Sequence, residues 1–188
     1  MQRTTLAMAL LALSASASAG EFDYNYLTVG YGQVEIDEVD VDGDGFGLGG
    51  SFALSDSYHV FAGYETASLD FDIDMTSWAA GIGWNTGISP TVDLVTRLSY
   101  QYMELEADGF GSVDDNGLGL GVGLRFAASQ ALELDAGIDY VDFGDGGETE
   151  FGVGGLYSFS EAFAVGLAGG WGDDVSSYTI SGRFYFGQ

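Results

Sequence analysis

The chain has no cysteine and no lysine, a single proline, a single histidine and four arginines in 188 residues. Lack of cysteine excludes a disulfide scaffold, a lipoprotein anchor and a cysteine nucleophile. The few basic residues stand against 29 acids, for a formal net charge of −25. That balance argues against nucleic acid and against direct contact with anionic headgroups, because both need basic patches. Beyond the first 20 residues no run of 18 apolar residues occurs, which excludes a transmembrane helix. Acidity of this degree favours disorder, but 14% aromatic and 46% hydrophobic content oppose it.

What is present begins with a leader. Residues 1–19 read as a secretory signal peptide: Arg3 supplies the positive region, Leu6 to Leu13 the short apolar region, and Ala17-Ser18-Ala19 the small-residue cleavage site. The apolar region is too short to span a bilayer. Removing it leaves residues 20–188 as one domain with three arginines. The 31 glycines would break helices, yet they recur at every second position, a spacing that fits strands.

Segments of about ten residues with alternating polarity, separated by turn signals, are the pattern of an outer-membrane barrel. In residues 117–126, Leu118, Leu120, Val122, Leu124 and Phe126 point one way and four glycines with Arg125 the other. A soluble sheet would put bulky polar residues on its outer face; here the second face is mostly glycine, as a narrow lumen requires. Residues 45–54, 77–85, 132–143, 163–171 and 178–186 repeat the parity. Ten segments are expected (22–36, 45–54, 58–70, 75–85, 91–106, 115–127, 132–143, 149–159, 162–172 and 177–187), with eight strands as the alternative. The fold predicted is therefore all-β: an antiparallel up-and-down transmembrane barrel. Short connections, such as Ser55–Ser57 and Ser160–Glu161, alternate with longer ones near 37–44, 70–75, 107–114, 144–148 and 173–176 that carry many acids. Short turns face the periplasm in this class, which places both termini there and acidic loops outside. Tyr58, Trp78, Trp84, Tyr102, Tyr140, Trp171, Phe184 and Phe186 lie near strand ends, where interfacial aromatic girdles form.

All three arginines of the barrel, Arg97, Arg125 and Arg183, fall on inward positions. A guanidinium facing lipid at mid-depth would cost about 2–4 kcal/mol, so the parity is physically sensible. Strand order sets Arg125 beside Asp93 on one side and Glu133 or Asp135 on the other, with Asp139 on the same inward row. Closure brings Arg183 towards Asp23 and Asn25. Two readings follow: a salt-bridged internal plug, since barrels of this size are filled by their own side chains, or a charge constriction in a small pore, kept open by the inward glycines.

Catalysis finds no support. His59 follows a short turn at the periplasmic end, the wrong end for the rim chemistry of membrane-embedded proteases and lipid-modifying barrels, and a lone histidine is ordinarily no base. No G-x-S-x-G nucleophile elbow occurs. The run Asp40-Val41-Asp42-Gly43-Asp44-Gly45 matches the opening of a calcium loop, but its twelfth position is Ser51 instead of glutamate. An EF-hand is rejected. Asp40, Asp42 and Asp44 remain weak divalent-cation candidates, able to bridge to lipopolysaccharide phosphates, and no cofactor is called for.

Tyr24-Asn25-Tyr26 with Val29-Gly30-Tyr31, Tyr58–Glu65 (YHVFAGYE), Trp78–Asn85 (WAAGIGWN) and Asp93–Tyr100 (DLVTRLSY) resemble the small xanthomonad-type outer-membrane barrel proteins. The resemblance implies an outer-membrane barrel without established enzymatic activity, of a family once linked to activation of plant immunity and quorum signalling. Partners expected are outer-membrane lipids, lipopolysaccharide and the barrel-insertion machinery, which reads terminal aromatics; here Phe184 and Phe186 are displaced from the end by Gly187-Gln188. The functional expectation is a non-enzymatic envelope or surface-interaction barrel, with a narrow cation-preferring porin as the alternative.

Overall fold

Ten strands follow one another in chain order and close on themselves. In the computed structural model, which describes residues 22–36, 41–107, 109–144 and 146–187, they are β1 Tyr26–Ile36, β2 Val41–Ala53, β3 Tyr58–Leu69, β4 Ile73–Ser89, β5 Val92–Ala107, β6 Gly111–Ala127, β7 Leu132–Asp142, β8 Gly147–Ser160, β9 Phe163–Trp171 and β10 Val175–Tyr185. Each pairs antiparallel with its sequence neighbours, and β1 pairs with β10 from Tyr26↔Tyr185 to Ile36↔Val175. The expectation of ten strands holds, and closure leaves no free edge, as a sheet surrounded by lipid requires. Two register shifts, at Gly87/Ser89 and Ser158/Ser160, sit at the ends of β4 and β8. The expected leader and Asp40 lie outside the described residues.

The alternation read from the sequence sets the two faces. Leu118, Leu120, Val122, Leu124 and Phe126 of β6 are all exposed on the outside, while Gly117, Gly119, Gly121 and Arg125 are buried inside. The same holds for Phe46, Leu48 and Phe52 of β2 against Ser51. Such a belt of exposed apolar side chains around the whole wall is tolerable only where the surrounding solvent is hydrocarbon.

One expectation needs correction. The connections at the end opposite the termini are not long. β3 reaches β4 through Asp70–Asp72, and β9 reaches β10 through residues 172–174, no longer than the turns of the other end. The strands continue instead, with the polarity of their faces exchanged. Outside, Asp42 and Asp44 of β2, Thr66 and Ser68 of β3, Asp74 and Thr76 of β4 and Asp114 of β6 succeed the apolar belt. Inside, Val41, Leu69 and Met75 take the place of glycine and serine. Hydrogen-bonded pairing does not depend on which face is apolar, so the ladder runs past the point where the lipid pattern stops. Many acids assigned to loops therefore stand on strand extensions.

Candidate functional site in the barrel lumen

At the end that carries both termini and the short turns, the lumen is packed with aromatic rings and guanidinium groups. The segment that precedes β1 folds inward, so that Phe22, Tyr24 and Tyr26 are all buried. Tyr24 stacks on His59 of β3, 4.0 Å between centroids, and Tyr26 meets Tyr185 edge-on at 6.1 Å. Each arginine covers one ring: Arg125 lies over Phe22 at 5.1 Å, Arg183 over Tyr26 at 4.2 Å and Arg97 over Phe61 at 6.0 Å. These are cation–π separations, and Tyr26 lies in the field of all three guanidiniums. Burial pushes the Tyr24 phenol upward from its ordinary value, so it stays neutral. Composition and parity marked the arginines, but nothing marked these inward rings. Tyr24 and Tyr26 share a parity with Thr28 that only the position of β1 resolves.

The three arginines have different partners. Arg125, 1% exposed, stands in register between Asp93 of β5 and Asp135 of β7, and its Nε and Nη2 donate to Glu133 Oε1. Arg97 and Asp139 flank Gly121 from either side. Arg183 stands between Thr28 and Ala164. The Tyr26 ring lies against Arg183; Asp23 accepts the Asn25 N–H, and Asn25 Oδ1 accepts the Ala53 N–H. His59 is fully buried between Tyr24 and Phe61.

Several inward glycines face a large inward side chain on the neighbouring strand. A Cβ on Gly83 would lie 2.0 Å from the His59 ring, one on Gly81 2.6 Å from Phe61, and one on Gly121 2.2 Å from Asp139. Glycine is what makes room for these groups, whereas Gly32, Gly45 and Gly47 line a small cavity with Glu65, Met75 and Thr179. Beyond the arginine layer come the carboxylates of Glu65, Asp139 and Glu150, with Asp139 directly opposite Glu150. At the far end Ile36, Val41, Leu69, Met75, Met103 and Val175 form a buried apolar cluster, with Val34, Ala67, Ile73 and Leu105 packed on it. The strand extensions thus carry a core of their own, inside where a soluble barrel would have it.

The aromatics expected as girdles divide between two levels. Tyr58 and Trp84 pair across β3 and β4 near the short turns, with Phe184 and Phe186 at the same end. Trp78, Tyr102, Tyr140 and Trp171 lie nearer the other end, with Trp78 stacked on Tyr102 at 5.9 Å and Trp171 near Phe151 at 6.4 Å. Asp42 and Asp44 point outward and are exposed. Among the described residues no group of three or more His, Asp or Glu side chains is placed to hold a metal ion.

Comparison with known proteins agrees with this architecture. Residues 5–159 match the family described as outer membrane protein beta-barrel domain. No curated protein matches the chain in sequence. Among solved structures, the NanC porin superposes with a TM-score of 0.51 at 10% identity, covering 85% of this chain and 100% of its own. The KdgM porin superposes with a TM-score of 0.50 at 10% identity, covering 85% and 99%. The N-terminal barrel of Pseudomonas aeruginosa OprF gives 0.47 at 13% identity, covering 85% and 98%. At such identities the likeness is one of fold.

Proposed function

The chain belongs to the outer membrane protein beta-barrel domain family and resides in the outer membrane, and from that premise we propose that it is a non-enzymatic envelope barrel whose lumen is closed to bulk ions. The observation that carries this reading is the double filling of the lumen. A layer of arginines and aromatic rings lies at one end and an apolar cluster at the other. Water and ions cross a narrow barrel only along a continuous polar opening, and each layer opposes one. The short turns face the periplasm in this reading. The collar of Asp42, Asp44, Asp74 and Asp114 faces outward from the cell and presents a strongly acidic rim to lipopolysaccharide, to divalent cations bound there and to surface partners. The finer kinship, with the xanthomonad-type small barrels and their link to plant immunity, rests on the strand motifs of β1, β3, β4 and β5 and belongs to this proposal.

A narrow cation-preferring porin is the second reading, favoured by the carboxylates of Glu65, Asp139 and Glu150 along the lumen and by the likeness to porins. Planar-bilayer recording separates the two. Silence at high protein density supports the closed barrel; stable cation-selective steps from the wild-type protein overturn it.

A further inference from the structure

The acids of the lumen leave one wall empty: besides Glu65 of β3, they stand on three other strands. Asp93, Glu133, Asp135, Asp139, Glu148 and Glu150 point inward from β5, β7 and β8. The opposite wall has none. The inward positions of β9, β10, β1 and β2 are Ala164, Gly166, Ala168 and Gly170; Val175, Ser177, Thr179, Ser181, Arg183 and Tyr185; Tyr26, Thr28, Gly30, Gly32, Val34 and Ile36; and Val41, Gly43, Gly45, Gly47, Gly49, Ser51 and Ala53. In a chain with 29 acids, four consecutive strands offer the lumen one guanidinium, several hydroxyls and no carboxylate.

Arg183 therefore carries its charge into the interior, 2% exposed, on a wall without an anion. The Tyr26 ring covers one face of the guanidinium, Tyr185 lies against it and the Glu133 carboxylate adds its charge from across the lumen, but the donors Nε and Nη1 find no acceptor among the described residues. Beside them the buried hydroxyls of Thr28, opposite Arg183 in register, and of Ser51, one inward position further on β2, also have no partner. A buried charge is costly unless it is paired, and a ring face does not satisfy in-plane N–H groups. Two guanidinium donors and two hydroxyls thus lie on neighbouring strands, with the small residues Ala164, Gly49 and Ser181 next to them in register.

We propose that this wall holds a small monovalent anion, a halide or the carboxylate of a small acid, bound by Arg183 Nε and Nη1 and by the Thr28 hydroxyl. The anion is the acceptor that the side chains around Nε and Nη1 do not supply. The site does not depend on whether the lumen conducts.

The test uses the full refolded barrel. In crystals soaked in sodium bromide, anomalous scattering is expected to show bromide within hydrogen-bonding reach of Arg183 and Thr28, and to show it weakened or absent in Thr28→Val crystals of the same fold. Ordered water alone at Arg183, or a carboxylate of the chain's own against it, overturns the proposal. In solution, bromide or formate is substituted for gluconate, which is too large for the site, at constant ionic strength. The thermal midpoint of the wild type should rise by about 3–5 °C per tenfold increase in anion above saturation, and that of Thr28→Val much less. Arg183→Met should show no rise, and if it fails to fold, Thr28→Val alone decides. A larger response to bromide assigns a halide and a larger response to formate assigns a carboxylate. Equal responses in wild type and Thr28→Val overturn the proposal, as does no response to either anion.

Discussion

Tyr24 lies nearly flat on His59, with 4.0 Å between ring centroids and 17° between planes. This stack ties the segment before β1 to the inner wall of β3 and turns the start of the barrel into part of its filling. Tyr24 sits outside every strand, yet it is 1% exposed, and its hydroxyl has no partner among the described residues.

Truncation of the ring should therefore cost far more than removal of the hydroxyl. Tyr24→Ala is expected to destabilise by about 3–5 kcal/mol, the usual cost of deleting a buried aromatic, whereas Tyr24→Phe is expected to be neutral or slightly stabilising because it removes an unsatisfied polar group. Thermal unfolding in detergent, followed by circular dichroism or by heat-dependent gel mobility, measures both. Equal losses in the two variants would contradict the packing role.

The Arg125–Glu133 pair, buried on the arginine side, should behave asymmetrically. Breaking it with Arg125→Met leaves Glu133 and Asp93 without their cation and is expected to cost about 3–5 kcal/mol. The double change Arg125→Met with Glu133→Leu should recover part of that loss. A double-mutant cycle in the same unfolding assay gives the coupling.

Because the two layers act in series, opening either one should leave the barrel silent. We expect no conductance from Met75→Ala/Met103→Ala, and none from Arg125→Ala. Combining the three substitutions should produce measurable steps in planar bilayers. Conductance from the apolar-layer variant alone would show that the arginine layer does not block ions.

Glycines that seat large side chains should resist even a methyl group. Gly83→Ala sets a Cβ about 2.0 Å from His59 and is expected to cost about 1–3 kcal/mol as overpacking. Gly146→Ala, with nothing within 4 Å of the added atom, should stay within about 0.5 kcal/mol of wild type. If both are neutral in thermal unfolding, the lumen is looser than these contacts require.

The edge of the lipid belt can be located by charge. On the outer face of β6, Leu120→Arg should cost about 2–4 kcal/mol, while Asp114→Arg, six residues along the same face and above the belt, should be near neutral. Stability in lipid vesicles by urea titration reads the difference. A similar cost at both positions would move the boundary.

Period-2 alternation is a local property, and so the sequence by itself determined the ten strands, the choice of outward residues such as Leu118 and Phe52, and the inward placement of Arg97, Arg125 and Arg183. It also suggested that Arg125 would find Glu133, since β6 and β7 are neighbours in any up-and-down barrel. What lay beyond it depended on tertiary structure. The strand extensions looked like loops because their outer faces turn polar. Only pairing across strands shows that Val41, Leu69 and Met103 become a core at that level. The inward glycines suited a crowded lumen and left a pore open as the second reading, and only the register reveals His59 above Gly83 and Asp139 above Gly121. Arg183 was aimed at the segment before β1, and only the entry path of the first strand shows that Tyr26 lies beneath its guanidinium. A residue's face follows from its neighbours in sequence. What fills the space in front of that face is set by strands far away in the chain, and closure of the barrel alone brings them there.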